Sequence, residues 1–104
     1  MLKVPLKLPE DIVDYVSRNY AEEEIPIVMA ALGNAKLHDG RDPDFRMLRC
    51  ALVGSNNSIE GIENLVSLLA VDYRDVIVAG EYADKDGELV QVRDLSLPIS
   101  SDGQ

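Results

Sequence analysis

Between Pro9 and Ala83 the apolar residues recur at three- and four-residue intervals in five short runs, each broken by a glycine, a proline, an asparagine or an aspartate. This rhythm confines the chain to short amphipathic helices. At ~100° per residue, positions i, i+3, i+4 and i+7 share one face and can be buried together. The clearest run sets Ile59, Ile62, Leu65, Val66 and Leu69 against Glu60, Glu63, Asn64 and Ser67.

The other runs follow the same logic. Pro9 and two acids open a helix to about Asn19, with Ile12, Val13, Val16 and Tyr20 on one face, as the first-turn preference for proline and negative charge requires. The second helix carries Glu22, Glu23 and Glu24 at its front and Lys36 and His38 towards its end. It is apolar almost all round and is expected to be the most buried. "HDGRDP" is a turn, with Asp42 and Pro43 starting a third helix to about Val53. There Phe45, Met47, Leu48, Ala51 and Leu52 form the apolar arc, opposite Arg46, Arg49 and Val53. Asn57, three residues before Glu60, fits the cap of the fourth helix, and Asp72 that of a fifth reaching about Ala83. Gly33, Gly61 and Gly80 fall inside helices, where a missing Cβ permits close helix approach.

The ends of the chain differ. Leu2, Val4, Leu6 and Leu8 alternate with Lys3, Pro5 and Lys7, which gives an edge strand or extended arm. "DKDG" supplies a turn, and "ELVQVRDLSLPI" reads as a second extended segment; residues 100–104, "SSDGQ", have the composition of a flexible tail. The expected fold is therefore mainly α: one domain over residues 1–99, a compact bundle of about five helices. Its extended N- and C-terminal segments pair in a small two-stranded sheet, lie across the helices, or exchange between subunits.

Composition narrows the function. Nineteen acidic residues against ten basic ones give a net charge of −9, which disfavours nucleic acid and anionic membranes and favours a basic partner. One cysteine allows no internal disulfide, and no apolar run has the length of a signal-peptide core or a membrane span, so a cytoplasmic protein is expected. No cofactor or metal is implied. His38 has no second ligand at metal spacing, and "DKDGE" lacks the distal glutamate of a calcium loop. Cys50 lies at the border of the third helix's apolar arc, where a packed thiol is the ordinary role. No catalytic constellation stands out, and a non-enzyme is expected.

"VDYRDVIVAGEY" concentrates the candidate binding residues. Asp72 and Asp75 suit the first turn, and Glu81 stands four residues before Lys85 as a favourable pair. Val78 and Tyr82 fall one turn apart on the charged face with Arg74, Asp75 and Glu81, so the C-terminal arm, a second subunit or a foreign partner should cover them. Arg46 and Arg49 form a basic ridge for internal salt bridges or an acidic patch, and Glu22, Glu23 and Glu24 form an acidic run.

The blocks "RMLRCALVGS", "IENLVSLLAVDYRDVIVAGEY" and "VQVRDLSLPI", within residues 41–99, resemble small bacterial proteins to which no function is attached. The resemblance implies a bacterial cytosolic origin and assigns no site residue. The leading expectation is an acidic protein-interaction domain, in its most concrete form an immunity protein or antitoxin that blocks a basic toxin. The rivals are a structural or regulatory homo-oligomer with exchanged terminal arms, and a small enzyme using carboxylates or Cys50.

Overall fold

The computed structural model describes residues 8–99; the alternating segment before Leu8 and the tail after Ile99 lie outside the described residues. Five helices, α1 (Glu10–Asn19), α2 (Ile25–Gly33), α3 (Phe45–Gly54), α4 (Ile59–Leu69) and α5 (Tyr73–Glu81), precede two strands, β1 (Tyr82–Lys85) and β2 (Glu88–Gln91). The architecture is the expected mainly α bundle with a small two-stranded sheet, but the strands that pair are β1 and β2; the N-terminal segment expected to pair lies outside the described residues. None of these helices is long and apolar enough to cross a membrane.

The helix starts follow side-chain chemistry, with two shifts from expectation. Asp72 caps α5 by accepting from the Arg74 amide, as its position predicts. The cap of α3 is Asp44, whose carboxylate accepts from Met47 N at 2.9 Å, while Asp42 pairs with Lys36 instead. The cap of α4 is Ser58, accepting from Gly61 N at 3.0 Å. Asn57 cannot serve because it and Asn56 take left-handed conformations, φ 61° and 56°, and a capping residue is normally extended.

Helix α3 rather than α2 is the most enclosed. It packs on both α4 and α5, and Leu48 to Leu52 are all buried. Helix α2 touches only α1 and α4 among its stronger neighbours, so Pro26, Ile27 and Ala30 remain exposed despite the helix's apolar sequence. Between the helices, Ile12, Val16, Val28, Leu32, Leu48, Leu52, Ile62, Leu69 and Val76 close one core. Inside it, the Tyr20 hydroxyl and Ser55 Oγ lie 3.0 Å apart, and Ser55 donates to the Leu52 carbonyl.

The α3–α5 crossing depends on Gly80. A Cβ there would lie 2.5 Å from Cys50 Cα and 2.6 Å from the Cys50 carbonyl oxygen, so any side chain would push the two backbones apart. The expectation of close approach at this glycine is met.

Helix α5 stops two residues short of its predicted end. The Glu81 carbonyl accepts from Val92 N at 2.7 Å and Arg93 N at 3.3 Å, and Tyr82 is extended. Strand pairing thus replaces the next helical turn, and Lys85 is carried into β1, away from helical register with Glu81. The sheet is a local hairpin in which Tyr82, Ala83, Asp84 and Lys85 oppose Gln91, Val90, Leu89 and Glu88. Asp86 and Gly87, φ 55° and 84°, form the two-residue turn that suits the right-handed strand twist. β2 therefore pairs with β1, within the same chain.

Candidate functional site

Two arginines one turn apart on α3 organise the polar interior. Arg46 grips Glu81 with both arms, Nε to Oε2 at 2.8 Å and Nη2 to Oε1 at 2.7 Å. The same carboxylate, whose residue is fully buried, accepts from Gln91 Nε2 at 3.1 Å and Leu95 N at 2.9 Å. Hydrogen bonds from Arg46, helped by the Leu95 amide, outweigh desolvation and hold the Glu81 carboxyl below its ordinary value. Arg49 grips Asp11 at 2.9 and 3.1 Å and donates to the Leu95 carbonyl, while Asp11 also accepts from Ile99 N at 3.0 Å. Burial would raise Asp11, but Arg49 and the Ile99 amide bring it below its ordinary value. Both pairs fasten the segment after β2 across α1, α3 and α5. Planar, two-pronged pairing suits arginine to this task.

Glu81 and Arg49 are thus interior, and Arg46 spends its charge on Glu81 rather than on an external patch. Arg74 is exposed but tied to Asp72 within the same turn, and Asp75 is exposed beside it. Val78 and Tyr82 are half-buried, Tyr82 as the first residue of β1. Glu22 and Glu23 are exposed in the turn leading into α2; Glu24 is half-buried and accepts from the Ala21 amide. The structure therefore joins Arg46 to Glu81 and places Arg49 beside them, while Arg74 and Asp75 lie at the opposite end of α5.

Cys50 is fully buried, and desolvation followed by the nearby Glu81 charge pushes its thiol up to about 12, far from a reactive thiolate. His38 borders an open depression of about 220 Å³ with Val71, Asp72, Tyr73 and Arg74, whose charged members already satisfy each other. Among the described residues no group of three or more histidines, cysteines or carboxylates could hold a metal ion.

The exposed polar and apolar groups that do converge lie on the hairpin. Asp84, Asp86 and Glu88 are exposed around its tip with Lys85 as the counter-charge. Leu89 is 59% exposed and Val90 39%, and Val92 and Leu97 beyond them are open as well. Sequence reasoning names neither Leu89 nor Val90 as a candidate. The signal was present in "ELVQV", an apolar strand with no lysine or proline to protect an edge.

Comparison with protein-family models, with curated proteins and with solved structures gives no match.

Proposed function

We propose that this chain is a protein-binding domain rather than an enzyme, and that it recognises a basic protein surface. The carrying observation is how its charges are spent. Of the eight lysines and arginines among the described residues, six are held by carboxylates of the same chain. Arg93 donates to the Gly80 carbonyl. The surplus of negative charge is therefore left on side chains that face water, including Glu22, Glu23, Glu60, Glu63, Asp75, Asp84, Asp86 and Glu88. Uncompensated charge of one sign steers an oppositely charged partner and accelerates capture, while neighbouring exposed apolar groups such as Leu89 and Ile27 slow its release.

In its most specific form this domain is an immunity protein or antitoxin that occupies the basic cleft of a toxin. Affinity capture from the native host is the test. A basic protein should be retained, elute as salt is raised, and be lost from a variant carrying Asp84→Lys, Asp86→Lys and Glu88→Lys. Recovery of self-associated chains alone would sink the reading. The rival with exchanged arms has less to motivate it, since β2 already has a partner in its own chain.

A further inference from the structure

The hydrogen-bond register of the hairpin fixes which backbone groups it leaves over. Val92 N bonds the Glu81 carbonyl, so in an antiparallel ladder Val90 and Glu88 also turn their amides and carbonyls towards β1. Leu89 and Gln91 turn theirs the other way, and among the described residues no backbone group meets them. All four residues of β2 are exposed, whereas β1 begins with two half-buried ones. β2 carries neither lysine nor proline, nor a bulge that would spoil further pairing, and its short length is its main protection.

We propose that this outer edge of β2 takes an extended segment of a basic protein as a third strand, bonded to the backbone of Leu89 and Gln91. The proposal rests on the protein-binding reading above and supplies its docking mode. Charge selects the occupant. Glu88 shares a face with Val90 and Val92, Asp84 lies on the other face with Leu89 and Gln91, and Asp86 and Asp94 flank the two ends of the strand. An incoming strand therefore meets apolar groups and a carboxylate on either face, and its basic side chains have acids at both ends. A second copy of this chain fits poorly. The two-fold antiparallel register that sets Leu89 against Gln91 brings Asp86 of each copy level with Asp94 of the other, between molecules that each carry −9.

The test uses the full chain and short peptides of alternating lysine and valine, one plain and one N-methylated at the residues facing β2. Amide exchange followed by NMR should show Leu89 and Gln91 exchanging freely alone and protected by the plain peptide, with the methylated peptide binding about tenfold weaker or worse. Leu89→Pro, which removes an outward amide and no hairpin bond, should weaken the plain peptide alike. Val90→Lys, which keeps the backbone, should weaken it through charge. Equal binding of both peptides would overturn edge pairing while leaving the basic-partner reading intact. Absence of protection at millimolar peptide would also overturn it. So would Leu89 and Gln91 amides already protected without peptide, whether released by dilution, which means a second copy, or by deleting residues 1–7, which means the chain's own segment.

Discussion

Replacing Glu81 by glutamine changes one atom and should unfasten the C-terminal segment. Four donors converge on the carboxylate: Arg46 Nη2 and Gln91 Nε2 on one oxygen, Arg46 Nε and Leu95 N on the other. An amide offers a single acceptor oxygen, so either orientation orphans two donors and aims an NH2 at them. A buried donor left without a partner costs about 1–3 kcal/mol, and loss of one member of a buried ion pair about 3–5 kcal/mol. The side chain of Arg46 is 39% exposed and recovers some hydration, which places the expected loss at about 2–4 kcal/mol. With a urea m-value of roughly 1–2 kcal/mol per M, the midpoint followed by far-UV circular dichroism at pH 7 should fall by about 2 M. Exchange of the Leu95 amide should accelerate more than that of the core of α3. The paired replacement Arg46→Met with Glu81→Leu, which removes both charges and fills the space but leaves the Leu95 amide without its acceptor, should recover only part of the loss. A loss below about 0.5 kcal/mol in Glu81→Gln, within the range of an ordinary surface change, would refute the reasoning that this ion pair holds the segment.

Acid should expose the same dependence. Glu81 and Asp11 have folded-state values below their ordinary 4.5 and 3.8, so their contribution is complete above pH 4.5 and is lost as pH falls through the depressed values. Urea midpoints measured from pH 7 to pH 2.5 should therefore be flat above about pH 5 and fall below it, with a shallower fall in Glu81→Gln; parallel curves would exclude Glu81 as a source. The Cys50 thiol should resist alkylation at pH 8 until urea unfolds the chain, and rapid labelling of the folded protein would reopen thiol chemistry. Gly80→Ala should cost at least the upper part of the roughly 1–3 kcal/mol typical of overpacking, because the new methyl meets the Cys50 backbone rather than a movable side chain. A thermal midpoint unchanged in that variant would mean that α3 and α5 do not approach this closely.

The helices were legible because their information is local. Period, caps and breakers lie within a few residues of one another, and the Asp72 cap and the tight approach at Gly80 followed from them. What escaped depends on distant partners. Helical periodicity carries α5 to Ala83, but the Glu81 carbonyl finds Val92, eleven residues away, and the strand wins. On a helical wheel Glu81 and Arg49 look like surface residues, and only their partners make them interior. The Arg46–Glu81 and Arg49–Asp11 separations of 35 and 38 residues leave no local trace. The apolar sequence of α2 overstates its burial for a related reason, since an apolar helix surface does not say how many neighbours will cover it. The hairpin edge is hard to read from the pattern of side chains, because its unpaired groups belong to the backbone.

The direct passage from α5 into β1 has a mechanical consequence. No loop separates Glu81 from Tyr82, so a pull on the hairpin travels as tension along the chain into α5 rather than being absorbed by slack. At the junction it meets the Arg46 fork, and just behind that the contact of Gly80 with the Cys50 backbone seats α5 against α3. A load applied through the hairpin should therefore fall first on the two-pronged grip on Glu81.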